Sequence, residues 1–401
     1  MNRRYVILYI SGFFLNVKGI FSVFELFYNM RTLLLFQMLV IIAVSLSAQT
    51  LAGITFDKAN QEPVSSAYVY LEGSSLYDVT NADGKFEITV NAVVNLPLVI
   101  SHISYQTMTI SNPFNALPDT IFLEEKETSL GEVVVEAGKY SRRQLLRAFR
   151  REFLGTSTTS QSCIIENENK IDIWFNRLTH TLSASCNEPV LIHNRYLGYK
   201  IYLTLEKFEV EYSGRQLDIE TSIRTLLEGF AFFEDLDPFN KIIAKRRERT
   251  FIGSSAHFLR SLANGQLGKT YWLYDKGDTE PLPASKYVTV IDSTWMSVND
   301  ASKPFSSSSY FTVIDSCDIK EIRVNQRLKA KDFATYHGWI FWGEIGIKSI
   351  RKEVSDIIFY NDTFFIDSWG NLSQPWDLFF RGFMGKQRVG DMLPVNYGIE
   401  F

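Results

Sequence analysis

Between Gly53 and Phe86 the chain alternates apolar and polar side chains, with breaks at Gly53, Pro63, Gly73 and the Asp83-Gly84 pair. Ala67, Val69 and Leu71 fall on one side of such a strand, and Tyr68, Tyr70 and Glu72 on the other. Phe86, Ile88 and Val90 repeat the period of two, the pattern of a sheet with one buried face. Asp83-Gly84 suits a tight hairpin turn, because glycine takes positive φ at little cost. Ile54 and Phe56 open the series, and Leu98–Ile103, Thr107–Ile110 and Thr120–Leu123 supply later strands. Closely spaced short strands from Leu51 to about Glu125 predict a small antiparallel β-sandwich, not a barrel or a helical unit. Aromatic residues make up 14% of the 401-residue chain, which favours β structure further.

Four segments carry a resemblance: Gly53-Ile54-Thr55-Phe56-Asp57, Glu62-Pro63-Val64, Ala67-Tyr68-Val69-Tyr70-Leu71-Glu72-Gly73 and Thr80-Asn81-Ala82-Asp83-Gly84-Lys85-Phe86. They resemble the carboxypeptidase-like regulatory domain, a transthyretin-like (prealbumin-like) β-sandwich of the seven-strand type. That family is common in Gram-negative envelope proteins and at the N-terminus of TonB-dependent outer-membrane transporters. In His102-Ile103-Ser104-Tyr105, Ser104 stands where the family usually has Gly; Leu130-Gly131-Glu132-Val133-Val134-Val135 resembles the segment that follows the domain in such transporters. The resemblance implies a fold and a non-catalytic appendage, not a reaction.

The later chain reads as a larger, β-rich α+β domain over residues 141–401, after a linker at 126–140. Ser141–Leu154 is predicted as an amphipathic helix, with Leu145, Leu146, Phe149 and Phe153 on one face and Arg143, Arg147, Arg150 and Arg151 on the other. It is expected to pack on the domain, the alternative being a membrane surface. A hairpin (Lys170–Phe175 with Thr181–Ser185) and a long strand (Tyr199–Tyr212) follow, then a helical zone with Lys245-Arg246-Arg247-Glu248-Arg249 and Ser254–Leu262. Gly277–Ser285, with two prolines, marks an internal break before strand-rich sequence. Tyr287–Ser293 and Tyr310–Ser316 share vocabulary but not enough likeness for a repeat. Arg151–Gly155, Leu197–Tyr199, Gly253–Leu262 and Met392–Pro394 resemble an uncharacterised region of secreted bacterial proteins of similar length, which brings no known activity.

The first 48 residues differ from the rest. Tyr5–Val17 and Leu33–Val44 are apolar but short of the roughly 20 residues a spanning helix needs. Met30-Arg31, the second apolar run and Ser45-Leu46-Ser47-Ala48 before Gln49 have the layout of a secretory signal, predicting cleavage near Ala48 and translation from Met30; an uncleaved anchor is the alternative. No cysteine lies near the cleavage point, which disfavours a lipoprotein anchor. Cleavage removes Arg3, Arg4, Lys18, Arg31 and Glu25, moving the net charge from −4 to −7. That balance argues against nucleic acid as a partner. Cys163, Cys186 and Cys317 leave at least one thiol unpaired, and simple hairpin pairing would set Cys163 opposite Ile192 instead of Cys186.

Catalytic signatures are missing from the sequence. A zinc carboxypeptidase site needs His with Glu three residues on, and none of His102, His180, His193, His257 or His337 has it. There is no His-Glu-x-x-His, Gly-x-Ser-x-Gly, Walker loop or Cys-x-x-Cys. Gly253-Ser254-Ser255-Ala256-His257 brings hydroxyls near an imidazole but reads first as a helix cap. Glu234, Asp235 and Asp237 read as a solvated acidic loop, and Lys245–Arg249 as a charged helix face, the alternative being a grip on an acidic glycan or lipid head group. Asn81-Ala82-Asp83-Gly84 resembles part of a calcium loop, but Val79 and Val90 occupy ligand positions. Tyr397, Ile399 and Phe401 alternate like the closing strand of an outer-membrane barrel, an architecture that the helical zones oppose.

The expectation is an exported, periplasmic or outer-membrane-associated, non-catalytic protein. It has no catalytic, cofactor or metal residues assigned, and it binds an envelope protein or glycan through sheet edges and exposed aromatics such as Tyr68 and Tyr70. The competing expectations are a glycan or peptide hydrolase with its site in residues 138–401 and an outer-membrane β-barrel.

Overall fold

The computed structural model describes residues 49–90, 96–126, 140–218 and 221–274, and beyond them parts of 281–399. The leader at 1–48, most of the linker, Leu130–Val135, Tyr310–Ser316, Cys317, most of the 277–285 break, His337 and Phe401 lie outside the described residues. The chain is mainly β, and residues 50–401 form one compact unit.

The N-terminal part is the expected sandwich. One sheet has the order β4 (Lys85–Val90), β1 (Gln49–Asp57), β7 (Thr120–Leu123). The other has the order β3 (Tyr77–Val79), β2 (Tyr68–Leu71), β5 (Leu98–His102), β6 (Tyr105–Ile110). The second sheet is antiparallel throughout, whereas β1 and β7 run parallel with Ile54 opposite Thr120. Val69, Leu71, Phe86, Ile88, Leu98, Ile100, Ile121 and Leu123 fill the space between the sheets. The turn before β4 shows why Gly84 is needed. Its φ is +76°, and a Cβ there would overlap the Thr55 carbonyl oxygen, which itself accepts the Val64 amide at 3.0 Å.

The second part is organised by one long hairpin, β12 (Tyr199–Tyr212) with β13 (Ser222–Asp235). On its other side β12 pairs first with β11 (Val190–Asn194) and then with β10 (Thr181–Ser185), flanked by β8 (Cys163–Ile165) and β9 (Asp172–Asn176). Tyr199, Ile201, Leu203 and Leu205 are buried on one face, and then Phe208, Val210 and Tyr212 continue that face with the opposite parity. A bulge at Glu206 absorbs the extra residue, since Leu205 pairs with Gly229 and Lys207 with Glu228. α1 (Pro113–Ala116) belongs to the sandwich; α2 (Arg142–Leu154) covers this sheet, Phe149 and Phe153 packing on Phe208 with ring centroids 4.9 and 5.8 Å away. The expected packed helix is thus in place. Its start is a Ser141/Gln144 capping box, followed after Gly155 by the turn α3 (Thr158–Gln161).

Beyond the hairpin come α4 (Lys241–Phe251), α5 (Ser255–Ala263) and α6 (Leu267–Thr270). They lead into β14 (Tyr271–Tyr274), β15 (Val288–Ser293), β16 (Ile319–Val324), β17 (Thr335–Tyr336), β18 (Trp339–Ile340), β19 (Gly343–Ser349), β20 (Val354–Phe359), β21 (Thr363–Asp367) and β22 (Leu378–Arg381), and then α7 (Gly382–Gly385). The sheets β14-β19-β20-β22 and β15-β16-β21 share a core with Phe258, Leu259 and Leu262 of α5.

Two expectations need correction. Val395–Gly398 is a turn, not the closing strand of a barrel, and Arg260 donates to the carbonyls of Val395 and Tyr397 there. Cys163 lies opposite Asn194, not Ile192, because β8 pairs with β11 instead of continuing the β9–β10 hairpin; Cys163 and Cys186 are both free.

Candidate functional site

Tyr70 is buried and Tyr68 half-buried, so neither is the freely exposed aromatic that the alternation suggests. The β2 face that points away from the sandwich core is covered by the far face of the long hairpin. Tyr70 is buried and lies 4.7 Å from the Phe232 ring; Tyr68 lies 5.3 Å from Tyr202 and 5.2 Å from Phe232. Phe232 in turn stacks on Tyr202 at 4.5 Å, nearly parallel. The alternation in the sequence sends these tyrosines away from one core, and the structure places them in a second.

The β2–β3 turn tightens that junction. Gly73 donates its amide to the Ala231 carbonyl at 2.7 Å, and Phe233 donates to the Ser74 carbonyl at 2.9 Å, so the turn caps the open edge of β13. The Ala231 amide donates to Glu72 Oε1 at 3.1 Å, while Oε2 is buried without a hydrogen-bond partner. Burial pushes this carboxyl up to about 8, its Oε2 being buried although the residue as a whole is half-buried.

The sandwich has an open seam between β3 and β4, a shallow depression of about 600 Å³. It is lined by Ala52, Gly53 and Ile54 of β1, by Asp78, Val79 and Asn81, by Lys85, Phe86 and Glu87 of β4, and by Asp119. Asp78 Oδ2 accepts the Glu87 amide at 2.7 Å, satisfying an edge donor that no strand covers. Gly53 lets the Phe86 ring lie close over β1, where a Cβ would meet the ring at 3.0 Å. The rim is polar and mixed in charge and the floor partly apolar, an arrangement suited to an extended polar chain lying along a strand edge.

Residues 51–135 match the family model of the CarboxypepD_reg-like domain. The chain therefore carries such a domain at its N-terminus, and both the junction at β2 and the open β3–β4 seam belong to it. No family model names the C-terminal region, and comparison with the curated proteins gives no match.

Several of the side chains singled out for chemistry are engaged in holding the fold. Ser254 is the N-cap of α5, its Oγ accepting the His257 amide at 3.1 Å; the His257 imidazole turns instead to the Tyr271 hydroxyl, 2.8 Å from Nδ1. Burial, with help from Arg260 and Arg351, keeps that imidazole below its ordinary range. The acidic run and the basic run find each other: Arg247 grips Asp235 through two bonds of 2.7 and 2.6 Å, donates to the Leu197 and Gly198 carbonyls and lies over the Tyr199 ring at 3.8 Å. Asp235 is thus no solvated loop residue and Arg247 no part of an exposed face, while Lys245 and Arg249 are exposed as expected. Asn81 Oδ1 accepts the Asp83 and Lys85 amides and so serves the turn itself. Among the described residues no three His, Cys, Asp or Glu side chains are grouped to hold a metal ion.

Sequence reasoning missed Arg260. It is buried and donates to the carbonyls of Trp369 at 2.6 Å, of Tyr397 at 2.5 Å and of Val395. Near it the fully buried Asp367 carboxyl accepts from Trp369 and Asn371, and burial raises it to about 6. A single arginine in an apolar-periodic helix gives no local sign of such partners.

Proposed function

We propose that this chain is an exported envelope protein with a binding or assembly role, in which the CarboxypepD_reg-like domain presents its β3–β4 seam to an envelope protein or glycan. The observation that carries this reading is the asymmetry of the sandwich. Its tyrosine face is taken by the chain's own hairpin, while the seam lined by Asp78, Lys85, Glu87 and Asp119 opens outward. The positions of Ser254, His257, Asp235 and Arg247 support a non-catalytic role, each being spent on a cap, a backbone carbonyl or a neighbouring segment. We extend this reading to an association with outer-membrane transport or glycan handling, on the resemblance to domains of envelope proteins and outer-membrane transporters.

The test is photo-crosslinking in the native envelope from probes placed at Lys85 and Glu87, with Lys170, outside the sandwich, as the control position. A discrete adduct with a transporter or glycan-handling component from the seam alone is the expected result. Adducts that do not depend on probe position would sink the seam as a docking site. Purified protein that hydrolyses an envelope polymer would replace the reading with that of a hydrolase.

A further inference from the structure

The turn after β13 and the first turn of α4 carry an unusual set of exposed apolar side chains. Leu236 is 40% exposed, Phe239 95% and Ile242 64%, all within seven residues of sequence. Phe239 is held out on a turn fixed from below. Asn240 caps α4 through the Ile242 and Ile243 amides, the Leu236 amide donates to the Gly198 carbonyl, and Ile243 and Arg247 anchor the other face of the helix. The exposure is therefore built in by the fold.

Behind the knob, cations follow the outer face of α4. Lys241, Lys245 and Arg249 recur at four-residue spacing opposite Ile243 and Arg247, with Glu248 the acidic residue on the helix. Arg351 bonds the Arg249 carbonyl at the far end and brings the exposed Lys352 and Val354 (61% exposed) alongside. An exposed apolar tip, interrupted by the exposed Asp237 and backed by a cationic stripe, on a chain of net charge −4, matches the boundary between headgroup and acyl chains of an anionic bilayer. A second copy of the chain fits poorly, since a two-fold contact would set Lys241, Lys245 and Arg249 against themselves.

We propose that Phe239, Ile242 and Leu236, with Lys241, Lys245 and Arg249, form a peripheral membrane-docking face that takes an anionic phospholipid surface. The apolar tip enters the interface and the lysines meet the lipid phosphates. The proposal rests on the envelope reading above only for which bilayer the protein meets, and its test uses no protein partner.

The experiment is co-sedimentation of the processed protein with phosphatidylglycerol-containing vesicles and with pure phosphatidylcholine vesicles, at low and high salt. Binding to the anionic vesicles, weakened by salt, is expected. Lys241→Glu/Lys245→Glu should reduce partitioning about tenfold or more, and Phe239→Ser/Ile242→Ser should reduce it at both salt concentrations with an unchanged melting temperature. Absence of anionic-vesicle binding by the parent, or variants that bind as the parent does, overturns the proposal. So does a parent dimer that Phe239→Ser converts to monomer, which would assign the knob to self-association. Failure of seam crosslinking leaves these readouts untouched.

Discussion

At the residue scale the buried carboxyls make the most direct prediction. Glu72 titrates at about 8 and Asp367 at about 6 in the folded protein, against ordinary values of 4.5 and 3.8, because burial penalises their charged forms. A carboxyl raised in this way binds its proton more tightly in the folded state than in the unfolded one. Its contribution to stability is therefore complete below about pH 4 and is lost as pH climbs through 6 and 8. Stability, read from the denaturation midpoint, should fall over that window, by roughly 5–8 kcal/mol for the two groups together. Glu72→Gln should flatten the upper part of the profile while leaving the part due to Asp367. A midpoint that rises from pH 5 to pH 8 in both proteins would contradict the burial of these groups.

At the element scale the long hairpin shows what the sequence discloses and what it withholds. The parity change from Leu205 to Phe208 is written in the chain, and the strand was predicted over its observed span, Tyr199–Tyr212. The bulge that reconciles the two halves needs Gly229, where a Cβ would overlap the Thr204 carbonyl oxygen. Gly229→Ala should destabilise by about 2 kcal/mol or more, as a strain with no room to relax. Gly214→Ala, where a Cβ meets nothing within 4 Å, should be close to neutral in the same urea titration. The sandwich was equally legible, because period-two alternation and the Asp83-Gly84 turn are local signals. The destination of Tyr68 and Tyr70 was not. Alternation tells which way a side chain points, and only the three-dimensional pairing tells that Tyr202 and Phe232 are waiting there. The Arg247–Asp235 pair stood half-visible as neighbouring runs of opposite charge, whereas the partners of Arg260 lie more than 100 residues away.

At the scale of the whole molecule, the C-terminal segment links what the sequence presents as separate parts. Met384 enters the core around α5, Val389 and Leu393 enter the core under α2, and Val395 and Ile399 enter the sandwich. Asn194 donates to the Gly390 carbonyl at 2.9 Å, Val395 donates to the Gly73 carbonyl at 2.9 Å, and Asn396 accepts the Ser75 amide at 3.0 Å. Arg260 holds the carbonyls of Val395 and Tyr397 from the other side. Such a strap couples the sandwich to the helices and the later sheets through buried and half-buried hydrogen bonds, and the loss of a buried one leaves its donor unsatisfied at about 1–3 kcal/mol. Truncation after Asp391 should therefore raise amide exchange far from the cut, at Gly73–Leu76 of the CarboxypepD_reg-like domain and around Trp369–Asn371. Hydrogen-exchange mass spectrometry reads this directly. A truncated protein that loses protection only in the residues next to the cut would show that the sandwich stands without the strap, and that Arg260 fastens the tail without binding the parts together.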